Sequence, residues 1–364
     1  MLKTLYASTA VLVMLSGVAR ADVDLVLVGP MTGQYSSFFD QMKHGAQAAV
    51  ATINAAGGIK GQKIALTLED DACDPKQAVA AANKVVSANA AGIIGHFCSS
   101  SSIPASEVYV EGGIPMISPG STNPKLTDRG MKSVFRTCGR DDQQAAIAAT
   151  AIIDRKLGSK IAIVDDKSTY GKGLADGVRS ALNAKGVKQV LDDTVTQGDK
   201  DFSTIISRLK AANVDFVFYG GYFAEAGLLL RQAREQGLKA TFMGGDGVAA
   251  AEFGSIAGPA SDGFLMTFYP DPRNNPGAAA IVKSFRDAKY EPEGYTLYTY
   301  AAVTAFADAV KRAGSTDGAK VTDELHKGTF DTVLGSLAFD GKGDPKMEPF
   351  VVDVWKDGKY LLLK

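Results

Sequence analysis

The chain has 364 residues, with 39 Lys and Arg against 40 Asp and Glu and 46% hydrophobic residues. That length is long for one hydrophobic core and natural for two domains, and it carries no charge block or low-complexity tract that would suggest disorder. The near-neutral balance leaves no electrostatic footprint for nucleic acid and no strong attraction to an anionic membrane surface.

Residues 1–21 read as a secretory signal: a basic MLK start, a largely apolar run from Leu5 to Val18, and the small-x-small ending Ala19-Arg20-Ala21. The apolar run is too short for a comfortable membrane span. No cysteine stands at the expected cleavage point, so the sequence gives no reason to invoke a lipid anchor. The expectation is an exported chain of residues 22–364 with no stable membrane insertion.

From residue 23 onward, strand-like and helix-like segments alternate. VDLVLVG (23–29) is apolar and β-branched. It leads to a helical stripe of Met42, Ala46, Ala49, Val50 and Ile53 that Gly57 and Gly58 terminate. QKIALTLEDD (62–71), a helix starting near Pro75, AGIIGHF (91–97), a short helix around 103–112 and IPMIS (114–118) follow. The rhythm restarts with a helix near 142–155 and runs through KIAIVDD (160–166), VKQVLDDTV (187–195), VDFVFYG (214–220), ATFMG (240–244) and DGFLMTFY (262–269), with helices between. Continuous apolar strands separated by amphipathic helices predict parallel sheets covered on both faces, and two consecutive runs predict two α/β lobes. Helical patterns near 277–289, 296–313 and 320–327 precede strand-like tail segments at 336–340, 349–358 and 359–363. Patterning alone does not say which lobe each tail segment joins.

Cys73 and Cys98 each follow a strand, and parallel neighbours would place both at the same sheet edge, close enough to bond. Export makes that bond chemically accessible. The expected disulfide is therefore Cys73–Cys98, with Cys138 left unpaired and buried at a strand end.

Catalytic material is sparse. His44, His96 and His326 are far apart and lack HxxxH or HExxH spacing, and no GxSxG elbow, GxGxxG fingerprint or GxxxxGK[ST] loop is present. His96, between Gly95 and Phe97 at a strand end, reads as a hydrogen-bonded structural histidine. Neither an enzyme activity, a metal nor a cofactor is expected. Polar, aromatic and glycine-rich stretches do follow the strands, where open parallel sheets bind ligands. They are Cys98–Ser102, Pro119–Thr122, Ser168–Gly171, Tyr219–Tyr222 and Gly244–Gly247. Hydroxyls and main-chain N–H groups in the first two can receive a carboxylate, Asp246 can receive an ammonium, and the tyrosines can cover an apolar side chain.

NAAGGIKGQK (54–63), DDACDPKQAVAAANKVV (70–86), GHFCSSSSIPAS (95–106), YGKGLA (170–175), KDFSTIISRLK (200–210), FVFYGGY (216–222), LRQAREQGLKATFMG (230–244) and KGDPK (342–346) carry a specific resemblance. Through them the chain resembles the leucine/isoleucine/valine-binding proteins of bacterial branched-chain amino-acid ABC uptake systems, which are type I periplasmic binding proteins. The resemblance covers essentially all of residues 22–364, and the cysteine-bearing pair matches that family's disulfide framework. It implies an α/β fold of two Rossmann-like lobes with parallel central sheets joined by crossed connections. The implied lobes are residues 22–140 with 270–349, and 141–269 with 350–364.

By matching segment, the resemblance assigns Ser99 and Thr122 to the α-carboxylate of an amino acid held between the lobes. The Gly120 carbonyl and the Thr122 hydroxyl take part at the ammonium within the Gly120-Ser121-Thr122 loop, and Asp246 completes that site where close relatives carry glutamate. Phe38, Tyr170, Tyr222 and Tyr295 match the side-chain pocket. The implied partners are a free L-amino acid and ABC permease subunits, and the chain is expected to act as a monomer. Three alternatives compete: a receptor of the same fold for another small amino acid or amide, a sensory binding protein, and an exported enzyme.

Overall fold

Strand β1 (Val23–Gly29) buries six of its seven residues, the pattern of a parallel strand covered on both faces. In a computed structural model that describes residues 22–346 and 350–364, it begins a repeating strand–helix chain. The expected signal, residues 1–21, lies outside the described residues. After β1 come α1 (Ser36–Ala55), β2 (Ile64–Asp70), α2 (Pro75–Ser87), β3 (Gly92–Gly95), α3 (Ser99–Glu111), β4 (Met116–Ser118), α4 (Lys125–Asp128) and β5 (Val134–Arg136). Asp74 caps α2 by accepting from the N–H groups of Lys76 and Gln77, with Pro75 in the first turn. The five strands form one parallel sheet in the order β2-β1-β3-β4-β5.

A second run follows: α5 (Asp141–Asp154), β6 (Ile161–Asp165), α6 (Thr169–Ala184), β7 (Leu191–Thr194), α7 (Ser203–Ala211), β8 (Phe216–Gly220), α8 (Phe223–Glu235), β9 (Thr241–Gly244), α9 (Ala251–Ala257) and β10 (Leu265–Phe268). Beyond it lie α10 (Ala279–Asp287), α11 (Thr296–Ala313), α12 (Gly318–Lys327), β11 (Thr329–Thr332), β12 (Gly335–Ala338), β13 (Val351–Lys356) and β14 (Lys359–Leu362). The second sheet runs β14-β13-β10-β9-β8-β6-β7. Its central strands are parallel, but β13 pairs antiparallel with β10 and β14 antiparallel with β13. The central strands are parallel as expected, and the antiparallel pairs are confined to one edge, where the short Asp357-Gly358 turn joins β13 and β14 as a hairpin.

The segment after β10 returns to the first sheet. A Cβ on Gly45 of α1 would lie 2.1 Å from the Thr296 carbonyl oxygen, so α1 and α11 approach closely only because that residue is glycine. Phe306 of α11 likewise lies over Gly92 of β3. Near residue 343 the chain rejoins β5: Arg136 N–H donates to the Gly343 carbonyl at 3.0 Å. The buried Arg136 guanidinium pairs with Asp344 at 2.8 Å and donates to the carbonyls of Ser121 and Asn123. A buried cation needs such complete partners, and here the partners fix the loop after β4.

Cys73 and Cys98 are disulfide-bonded with their Cα atoms 5.5 Å apart, and Cys138 is free and buried. His96 is fully buried, its Nδ1 2.5 Å from Asp71 Oδ2 and its Nε2 2.9 Å from the Tyr109 hydroxyl. It is the structural histidine the sequence suggested. One helix start differs from expectation. α3 begins at Ser99 rather than near 103, because the serine run forms its first turn and Pro104 is accommodated inside it. Among the described residues no helix is long and apolar enough to cross a membrane, and no cluster of three or more His, Cys, Asp or Glu is placed to hold a metal ion.

Candidate functional site

The carboxyl ends of both sheets face each other. From the first lobe come Ser99 at the start of α3, the Gly120–Thr122 loop after β4, Phe38 in the first turn of α1, and Tyr295 just before α11. From the second come Tyr170 in the first turn of α6, Tyr222 at the N-cap of α8, and Asp246 in a 3-10 turn after β9. All eight side-chain-bearing residues are buried.

Asp246 is the centre of one end. Its Oδ1 accepts from the Tyr170 hydroxyl at 2.8 Å and from Gln144 Nε2 at 2.9 Å, and its Oδ2 accepts from the Tyr295 hydroxyl at 2.5 Å. The Tyr295 bond crosses from the first lobe. Gln144 is locked in turn: its Oε1 accepts from the Asp246 N–H at 2.8 Å and from the Thr267 hydroxyl at 2.6 Å. Burial pushes the Asp246 carboxyl above the ordinary range, against the opposing hydrogen bonds of Tyr295, Gln144 and Tyr170.

A second carboxylate stands beside it. Asp141, in the first turn of α5, accepts from Gln144 Nε2 at 3.2 Å through Oδ1, so one amide bridges the two acids. Burial, then the charge of Asp246, raises the Asp141 pKa well above its ordinary value. Its Oδ2 has no hydrogen-bond partner among the described residues, and neither has Thr122 Oγ1. The Thr122 hydroxyl lies close enough to favour the ionised form of Asp141 without making a well-directed bond. The main chains are joined as well, Asp141 N–H donating to the Thr122 carbonyl at 2.9 Å. An Asp141 oxygen and the Thr122 hydroxyl, buried next to Asp246 without a well-directed partner, leave capacity for a donor, preferably a cation.

Ser99 Oγ accepts from the Asn123 N–H at 3.3 Å, and Asn123 Nδ2 donates across the lobes to the Thr169 carbonyl at 2.8 Å. Ser121 is differently engaged. Its hydroxyl donates to the Phe97 carbonyl at 2.7 Å and lies 2.5 Å from Ser102 Oγ, which ties the loop to α3 inside one lobe. A Cβ on Gly120 would sit 2.5 Å from the Phe97 ring, so glycine lets the loop press against that aromatic.

The remaining wall, among the described residues, is aromatic. Phe38 stacks on Phe97 with centroids 4.1 Å apart, and Tyr295 meets both rings edge-on, at 5.9 Å and 4.7 Å. Tyr222 lies 4.9 Å from Tyr170 and 6.1 Å from Phe38. The structure thus brings together Phe38, Tyr170, Tyr222, Asp246 and Tyr295 in one ring-lined cluster, with Ser99, Gly120 and Thr122 on the loops beside it. Sequence reasoning missed Asp141 and Gln144, which read as an ordinary helix start. Their spacing of three on α5 was the available signal, since it places both on one helix face.

The periplasmic binding protein family profile matches residues 22–359. Among similar curated proteins is a Leu/Ile/Val-binding protein homolog 1 of Brucella melitensis, 51% identical over 367 residues and covering 99% of each chain. An amino acid binding protein of Pseudomonas aeruginosa is 49% identical over 350 residues, covering 95% of this chain and 94% of its own. Among solved structures, a leucine binding protein of Thermotoga maritima has a TM-score of 0.88 at 28% identity, covering 94% of this chain and 98% of its own. A branched-chain amino acid substrate binding protein of Streptococcus pneumoniae, in complex with isoleucine, has a TM-score of 0.86 at 25% identity and covers 93% and 97%.

Proposed function

The chain belongs to the periplasmic binding protein family, and from that premise we propose that it captures the branched-chain L-amino acids leucine, isoleucine and valine between its two lobes and delivers them to an ABC permease. Its family makes it a periplasmic solute-binding protein rather than an enzyme. The proposed division into residues 22–140 with 270–349 and 141–269 with 350–364 is supported by β1–β5 forming one sheet and β6–β10 with β13 and β14 forming the other, while β11 and β12 pair only with each other.

One observation carries the ligand reading: the bare acceptors Asp141 Oδ2 and Thr122 Oγ1 beside Asp246, next to an aromatic wall. In this reading Asp246, the Thr122 hydroxyl and the Gly120 carbonyl accept from the ammonium, and Asp141 adds a further acceptor. Ser99 and Thr122 hold the carboxylate. Phe38, Tyr170, Tyr222 and Tyr295 enclose the aliphatic side chain. Burying an ammonium or carboxylate against those rings without a partner has a large desolvation cost, so side chains bearing charge are disfavoured. A single methylene changes affinity by only about 1–3 kcal/mol, so leucine, isoleucine and valine overlap.

Calorimetry on all twenty amino acids tests the reading. Leucine, isoleucine and valine should bind at about micromolar Kd, near −8 kcal/mol, and glutamate and arginine far more weakly. Preferential binding of a charged amino acid would overturn the ligand assignment while leaving the fold intact.

A further inference from the structure

Away from Asp246 the lobes meet at a second junction, built around Glu225 in the first turn of α8. Glu225 is fully buried. Its Oε1 accepts from Gln34 Nε2 at 2.6 Å and from the Gly198 N–H at 2.7 Å, and its Oε2 accepts from the Tyr35 hydroxyl at 3.1 Å. Gln34 and Tyr35 sit in the turn that opens α1, in the first lobe, whereas Glu225 and Gly198 belong to the second. The junction is reinforced from the second lobe: Gln197 Nε2 donates to the Tyr35 oxygen at 3.0 Å, and Lys200 Nζ donates to Gln34 Oε1 at 3.2 Å. The Tyr35 ring also packs on Tyr222, at 4.7 Å between centroids, and on Phe223 at 6.1 Å.

A buried carboxylate is tolerated only when its oxygens are supplied with donors. Two of the three donors to Glu225 come from the opposite lobe, so these bonds exist only while the lobes are together. None of the groups assigned to the ammonium or carboxylate of the solute takes part in them. Both Glu225 oxygens are already occupied, which leaves no bare acceptor on this residue to select a solute.

We propose that Gln34 and Tyr35 latch onto Glu225 to hold the cleft shut, making Tyr35 and Glu225 positioning residues that set the retention of every solute equally without setting its identity. The proposal rests on the reading that solute is held between the lobes. Removing the latch should speed dissociation by one common factor for all ligands, because it weakens the shared closed form rather than any one contact.

The test compares wild type with Tyr35→Phe, Glu225→Gln and the double variant. Tyr35→Phe keeps the ring against Tyr222 and removes only the hydroxyl, and thermal melts confirm folding. Calorimetry and stopped-flow dissociation are run with leucine, isoleucine and valine, and small-angle scattering gives the radius of gyration without added amino acid. Tyr35→Phe should weaken all three ligands by the same factor, about tenfold for one hydrogen bond to a charged group, mainly through faster dissociation. Their ranking should stay unchanged, and the radius should increase relative to wild type. The double variant should cost less than the sum of the singles, as expected for two partners in one bond. Equal affinities and radii in wild type and variants overturn the latch. A change in ligand ranking also overturns it, since that would make Tyr35 a contact residue. If wild type binds no branched-chain amino acid, the functional reading fails, and the radius comparison alone decides the latch.

Discussion

The two places where the lobes meet through a buried carboxylate are supplied with hydrogen bonds in different ways. At Glu225 both oxygens are occupied, with donors from Gln34, Tyr35 and Gly198. At the other end Asp246 is itself well supplied, but its neighbour Asp141 keeps Oδ2 bare and Thr122 keeps Oγ1 bare. In the first arrangement the Glu225 carboxylate is itself fully supplied and joins two surfaces, although Asp166 nearby keeps Oδ2 bare. The second has acceptors to spare and two facing acids, which suits a cationic guest. The difference shows that a buried charge at a domain junction says little by itself; the state of the acceptors around it says what it is for.

The strongest way to break that contrast is to neutralise Asp246. Asp246→Asn retains most of the shape and removes the charge, and a hydrogen bond to a charged group contributes about 1.5–3 kcal/mol. Leucine affinity should fall about tenfold to a hundredfold by calorimetry. Unchanged affinity in a folded variant would remove Asp246 from the site.

A third carboxylate sharpens the comparison. Asp166, after β6, is buried with Oδ2 unpartnered, and its pKa is pushed up to about 7, first by burial and further by the charge of Glu225. A raised acid pKa means the folded chain holds a proton that the unfolded chain has lost, so this group lowers stability as pH rises from its ordinary range near ~4 toward about 7. Asp166→Asn should abolish that slope and raise stability at pH 8 by about 4 kcal/mol, measured by urea unfolding at pH 5 and pH 8. An equal effect at both pH values would show that Asp166 is ionised throughout.

The smallest expected effect concerns acidity at the Asp246 end. Protonation of Asp246 or Asp141 competes with an ammonium, and both pKa values are raised, Asp246 by burial and Asp141 by burial and by Asp246. Leucine affinity should therefore begin to fall at a higher pH than an ordinary carboxylate would dictate, by at most about tenfold per pH unit for one proton. Asp246→Asn should flatten the profile, and an identical profile in that variant would assign the titration elsewhere.

Much of this was legible in the sequence, and what was not has identifiable causes. The apolar strands and striped helices gave two α/β lobes, and the residues after each strand gave the loops that carry Ser99, Thr122, Tyr170, Tyr222 and Asp246. The Cys73–Cys98 bond followed from neighbouring strand ends. The start of α3 was hidden because serines resemble a loop and Pro104 resembles a breaker, although both lie within the helix. The Asp357-Gly358 turn between the last two strands was legible as a hairpin signal, but their antiparallel docking on β10 was not, because patterning does not say which sheet a tail strand joins. Asp141 and Gln144 were passed over because Asp and Gln at a helix start are ordinarily solvated, and only the packing of α5 against Asp246 buries them.

The central claim is that the acceptors around Asp246, Asp141 and Thr122 exist to take an ammonium. Calorimetric comparison of leucine with 4-methylpentanoate, which keeps the side chain and carboxylate but lacks the amine, tests it most directly. A site built to hydrogen-bond a buried N–H group rejects the analogue lacking it by about 10⁴-fold or more, so 4-methylpentanoate should show no heat of binding at concentrations that saturate the protein with leucine. Binding of 4-methylpentanoate as tight as that of leucine would contradict the account.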